Sequence, residues 1–124
     1  MEMNMMNRAA ERKIGRLLRT LGQPARLRIL LAIGEGEACV CHLEAVLGLR
    51  QALISQHLMA LRRARVLETR RNGRYIYYRL RDPAVLDLVR LSAEVAGVDK
   101  GAVRPARMAA RVVGCDCPSC TSKA

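Results

Sequence analysis

Val66-Leu67-Glu68-Thr69-Arg70-Arg71-Asn72-Gly73-Arg74-Tyr75-Ile76-Tyr77-Tyr78-Arg79-Leu80 sets two β-prone runs on either side of Asn-Gly, the strongest two-residue hairpin signal. Just before it, Gln51 to Arg65 carries Ile54, Leu58 and Leu61 at helical spacing, which predicts a helix and leaves Gln51, Ser55, Gln56 and Met59 off its buried face. A shorter helix fits residues 40 to 47, with Leu43, Val46 and Leu47 inward and Gly48 as its C-terminal stop. Two helices joined through Gly48-Leu49-Arg50 are the sequence form of a helix-turn-helix, and the hairpin behind them reads as a wing.

Working outward, Ala10, Ile14, Leu17, Leu18 and Leu21 predict an amphipathic helix from 8 to 21 closed by Gly22. Pro24 opens another, with Leu27, Leu30 and Leu31 on its buried face, and Gly34 and Gly36 end it. Past the wing, Asp82 as N-cap and Pro83 at the first helical position start a fifth helix whose Val85, Leu88, Val89 and Val95 lie on one stripe. The apolar faces of the first and last helices exceed what one thin core can cover, so a dimer interface is expected between them. The fold class is therefore mainly α with a β-hairpin: a homodimeric winged helix-turn-helix over residues 1–96. Gly, Pro, Ala and Arg dominate 97–124, which reads as a flexible C-terminal tail with a helical turn or two after Pro105. Met1, Met3, Met5 and Met6 read as a frayed end.

The 124 residues leave room for one domain, and with three tyrosines as the only aromatics its core must be aliphatic. Lys+Arg number 22 against 11 Asp+Glu, a net charge of +11, which points to a polyanionic partner. Between Arg50 and Arg81 stand nine arginines, no lysine and one acid, Glu68, so eight of the eleven net charges sit on the helix-turn-helix and wing. Arginine favours bidentate contacts to phosphate and guanine. Arg50, Gln51, Ser55, Gln56, His57 and Arg62 on the second helix of the motif, with Arg70, Arg71, Asn72 and Arg74 on the wing, are the candidate contacts to double-stranded DNA. No run of 18 apolar residues and no basic-then-apolar leader is present, so a cytoplasmic chain without a membrane partner is expected.

Five cysteines fall in two clusters, Cys39-Val40-Cys41 and Cys115-Asp116-Cys117-Pro118-Ser119-Cys120. In a cytosolic chain this pattern points to metal or redox chemistry rather than disulfides. Thiolates are soft ligands that select Cd(II), Pb(II), Zn(II), Cu(I) and, by the same logic, As(III) and Sb(III). On a regular helix Cys39 and Cys41 would point about 200° apart, so sharing one ion requires Cys39 to lie before the first turn or that turn to unwind. A thiol enzyme is disfavoured, because no Cys–His–acid arrangement exists and the arginine-rich wing would go unexplained. The histidines are His42 and His57 alone.

Leu21-Gly22-Gln23-Pro24-Ala25-Arg26-Leu27-Arg28-Ile29-Leu30, Cys39-Val40-Cys41-His42-Leu43, Ile54-Ser55-Gln56-His57-Leu58 and the wing from Arg71 to Leu80 together resemble the ArsR/SmtB metalloregulatory repressors, over roughly residues 8 to 96. The resemblance implies a homodimer that occupies a palindromic operator when free and leaves it when an inducer binds. Cys-Val-Cys, a polar residue and Leu look like the trivalent arsenic site of arsenic-responsive members and the thiolate core of cadmium and lead sensors. The sequence departs from the arsenic pattern twice: Glu44 stands where a third cysteine is usual, and His42 replaces an acid. The missing ligand is expected from Cys115, Cys117 or Cys120, in cis or from the other subunit. The expected inducer is As(III) or Sb(III), with Cd(II), Pb(II) or Zn(II), or a cysteine redox or persulfide switch, as alternatives.

Overall fold

The computed structural model describes residues 5–106 and 115–121. Met1 and Met3 lie outside the described residues, as does most of the segment after Pro105 where helical turns were expected. The chain opens with α1 (Arg8–Leu21), capped by the Asn7 side chain, which accepts from the Ala10 N–H at 2.8 Å, and ended at Gly22. Pro24 fills the first position of α2 (Pro24–Ile33), where a missing N–H costs nothing. The motif helices α3 (Val40–Leu47) and α4 (Gln51–Arg63) follow, with Gly48 in the left-handed conformation between them, as the sequence predicts. Helix α4 stops two residues early because Arg65 takes φ 62° and turns the chain into the wing.

The wing is β2 (Leu67–Asn72) and β3 (Tyr75–Leu80), paired from Leu67↔Leu80 to Asn72↔Tyr75, with Gly73 at φ 61° in its turn. A two-residue strand the sequence analysis missed, β1 (Glu37–Ala38), pairs antiparallel with β3 and makes the hairpin a three-stranded sheet in the order β1-β3-β2. The sheet is covered on both faces. Tyr78 and Leu80 pack on the main core of Leu21, Ile29, Leu30, Ile33, Leu43, Ile54, Leu58 and Leu61, whereas Tyr75 and Tyr77 pack on cysteines from the other side.

Helix α5 (Ala84–Val95) starts one residue later than expected, with Pro83 as its N-cap, and the Asp82 side chain accepts from the Ala84 N–H at 2.9 Å. Its buried face is Leu86, Val89 and Ala93; Val95, expected on that stripe, is 84% exposed, and Val46 of α3 is exposed as well. Both sit near a helix end, where a half-turn of drift carries a side chain off the core. Ile14 and Leu18 of α1 and Leu91 of α5 are also exposed. A groove between α1, α2 and α5 is lined by Leu18, Leu27, Leu31, Leu88 and Val103.

The chain beyond residue 96 is fastened at two described places. A short 3-10 turn at Lys100–Ala102 leads to Ala106, whose N–H donates to Leu31 O at 2.9 Å and whose carbonyl accepts from the Glu35 N–H at 2.8 Å. Gly34 makes this approach possible: its φ is 52° and a Cβ there would lie 1.9 Å from the Ala106 oxygen. Residues 115–117 then return to the sheet, followed by the one-turn helix α6 (Pro118–Thr121). The Gly, Pro, Ala and Arg composition gave no sign of this docking, because two backbone hydrogen bonds leave no periodic pattern. Gly34→Ala should destabilise the protein by about 1–3 kcal/mol, read as a lower denaturant midpoint, and should raise hydrogen exchange at the Ala106 amide.

Candidate functional site

Cys39 is the N-cap of α3: it lies before the first helical turn in extended backbone, and its sulfur accepts from the His42 backbone N–H at 3.4 Å. This is the placement a shared ion requires of the Cys39-Cys41 pair. The tail brings Cys115 and Cys117 to it, and the three sulfurs lie within 4.8 Å of one another, all buried. Cys39 Sγ and Cys115 Sγ are 3.4 Å apart. Two metal–sulfur bonds of about 2.3 Å span about 4.6 Å, so these sulfurs could close on a single centre with little movement. Cys41 and Cys120 stand half-buried at the margin, Cys41 within hydrogen-bond reach of the Cys115 thiol and Cys120 Sγ 3.6 Å from His42 Nδ1.

Burial pushes the Cys39 and Cys115 thiols up, which keeps them protonated near neutrality. Burial also acts to raise Cys117, but hydrogen bonds from Tyr77, Cys115 and the Cys120 backbone outweigh it and hold the thiol lowered, at about 7. Burial lowers His42, so its imidazole is neutral. The site therefore offers two thiols, one half-ionised thiol and a neutral ring.

The candidate DNA contacts divide into two groups. Arg50, Gln51, Gln56 and Arg62 of α4 and Arg71, Asn72 and Arg74 at the wing tip are exposed, with Ser55 half-buried among them. Arg74 lies 5.4 Å from the centroid of the Tyr75 ring, and Arg50, Arg62 and Arg71 join no ion pair among the described residues. Two others are engaged. His57 is half-buried, its Nδ1 accepting from Arg26 Nε at 3.1 Å, and burial together with the Arg26 charge keeps it neutral. Arg70 is bound to Glu37 and stacked on Tyr77, 4.8 Å from the ring centroid.

Glu37, His42, Tyr75 and Tyr77 were not singled out from the sequence as neighbours of the thiols. One signal was present: Tyr75-Ile76-Tyr77-Tyr78 places bulky residues on both faces of a strand, and a strand apolar on both faces needs two covers.

Residues 23–69 match the family described as bacterial regulatory protein, arsR family. A biofilm growth-associated repressor from Agrobacterium fabrum is 42% identical over 85 residues, which span 68% of this chain and 71% of that one. The chain belongs to the ArsR family. The arsenic resistance transcriptional regulator ArsR1 of Pseudomonas putida is 46% identical over 65 residues, 52% of this chain and 51% of its own. Among solved structures, a homodimeric winged helix-turn-helix DNA-binding domain from Mycobacterium bovis, a possible ArsR-family regulator, aligns with a TM-score of 0.66 at 28% identity. It covers 77% of this chain and 91% of that one. As a member of the ArsR family the chain is a DNA-binding transcriptional repressor of winged helix-turn-helix fold. Among the described residues no helix is long and apolar enough to cross a membrane.

Because the wing tip carries unpaired arginines, Arg71→Ala with Arg74→Ala should lower the slope of log affinity against log salt by about 2 per subunit. Binding of duplex DNA over a salt series measures this, and an unchanged slope removes the wing tip from the interface.

Proposed function

We propose that this ArsR-family repressor occupies operator DNA as a homodimer and is released when As(III) or Sb(III) is captured by Cys39, Cys115 and Cys117. One observation carries the reading: three buried sulfurs converge within 4.8 Å from segments 76 residues apart in sequence. A trigonal set of soft ligands suits a trivalent metalloid. It also bears on the departure at Glu44: the tail of the same chain would supply two sulfurs, Cys115 and Cys117, to Cys39, with Cys41, expected as a ligand from the sequence, at the margin. The similarity to an arsenic resistance regulator supports the inducer class, and the exposed Ile14, Leu18, Leu91 and Val95 support pairing through α1 and α5. The reading head is the exposed set Arg50, Gln51, Gln56, Arg71, Asn72 and Arg74.

The margin of the site favours a second reading. Cys41 and Cys120 could add a fourth thiolate for Cd(II), Pb(II) or Zn(II). The Cys39–Cys115 distance of 3.4 Å is likewise suited to a redox switch, for which peroxide alone would release the operator.

Proton counting separates these. Arsenite reacts as As(OH)3, and three thiols expel three waters with no net proton. With Cys117 ionised above its value of about 7, the same reaction takes up one proton. Arsenite-driven operator release should therefore be flat with pH below about 7 and weaken about tenfold per pH unit above it. A divalent ion displaces three protons below that point and two above, so its apparent affinity should climb about a thousandfold per unit and then about a hundredfold. Cys39→Ser should abolish arsenite release while leaving operator affinity intact. A cadmium response stronger than the arsenite response at every pH would reject the metalloid.

A further inference from the structure

We propose that Arg70 carries the state of the thiol site to the DNA face: with the tail cysteines docked it is strapped across the sheet by Glu37 and Tyr77, and with them undocked it is free for a phosphate. The proposal rests on the function argued above.

The strands run in the order β1-β3-β2, with Glu37 on the first and Arg70 on the last. The Arg70 guanidinium spans the intervening β3 by lying over Tyr77, its cross-strand partner, 4.8 Å from the ring centroid. At the far side it meets Glu37 with both ends of its fork, Nε donating to Oε2 at 3.1 Å and the terminal N–H to Oε1. The neighbouring pair does not compete, because Glu68 is taken by Arg79 at 2.8 Å.

Both anchors of the strap also touch the thiol site. Glu37 stands two residues before Cys39 on the same short segment. Tyr77 is 1% exposed, with Cys39, Cys115 and Cys117 packed in its cluster and its hydroxyl bonded to Cys117. A cation is held more tightly over a ring sealed from water than over a wet one. The docked cysteines keep Tyr77 dry, so they strengthen the strap. Their departure turns it into an ordinary surface ion pair of little worth. A fork spent on a carboxylate is unavailable to a phosphate, and both want the same planar geometry.

The test uses the full chain and three variants, Glu37→Gln, Arg70→Ala and the double substitution. Operator affinity is measured with and without arsenite, and arsenic capture is followed separately by thiolate–arsenic ultraviolet absorption. Glu37→Gln should capture arsenite with wild-type stoichiometry and bind the operator alone within about twofold of wild type, yet lose at least about fivefold of the arsenite-induced drop in operator affinity. Arg70→Ala should lose a similar share of that drop by starting from weaker binding. The double variant should match Arg70→Ala, because the two residues act through one contact. A Glu37→Gln chain that captures arsenite and still shows the wild-type drop overturns the strap, as does additivity in the double variant. A wild-type chain that develops no thiolate–arsenic absorption overturns instead the function on which the strap rests.

Discussion

The antiparallel pairing of Glu37 with Arg79 and Ala38 with Tyr78 ties the entry of the helix-turn-helix to the base of the wing. Cys39 follows directly as the cap of α3, so its sulfur comes to rest beside Tyr77 rather than in the core of the domain. Without that pairing β3 would have one neighbour, its outer face would be wet, and Tyr75 and Tyr77 would have nothing to pack on. With it, a floor of strand and helix cap is ready for the tail, and the sulfurs of Cys115 and Cys117 complete a second, smaller core. Thiols suit such a core because a neutral cysteine behaves as a small hydrophobe.

The same geometry sorts the arginines. A chain of net charge +11 repels itself, and each acid placed among its arginines decides which of them is spent on structure. Glu68 and Glu37 hold Arg79 and Arg70 at the base of the wing, while the tip residues Arg71 and Arg74 join no ion pair among the described residues. The arginines not committed to an acid at the base therefore stand at the far end of the hairpin.

How much of this was legible depended on the range of the interaction. Local rules located the helices well: Gly22 and Gly48 as stops, Pro24 as a start, Asp82 within two residues of the start of α5 and Asn72-Gly73 as a hairpin turn. Failures came where one or two residues act through distant partners. A strand of two residues has no period, so β1 was invisible, and its absence hid the neighbourhood of Glu37. The docking of Ala106 depends on the missing side chain of Gly34, which local reading took only for a helix stop. The tail cysteines were recognisable as candidate ligands by composition, but the convergence of Cys115 and Cys117 on Cys39 is a tertiary fact. His57 was read as a DNA contact from its place on α4, and its engagement by Arg26 of α2 through Nδ1 is another tertiary fact with no local signal.

Charge arithmetic inside the small core bears on which ion it would accept. Cys39, Cys115 and Cys117 are buried, His42 beside them is neutral, and Arg70, stacked on Tyr77, is already neutralised by Glu37. Three deprotonated sulfurs around a trivalent metalloid leave no net charge, so the buried cluster is neutral after capture. The same sulfurs around a divalent ion leave one negative charge, and burying an unpaired charge costs several kcal/mol even after relaxation. Recruiting Cys41 or Cys120 as a fourth thiolate deepens the deficit to two. Soft divalent metals would therefore have to pull the cluster open to solvent, whereas a neutral trithiolate is compatible with the tail remaining closed over Tyr77.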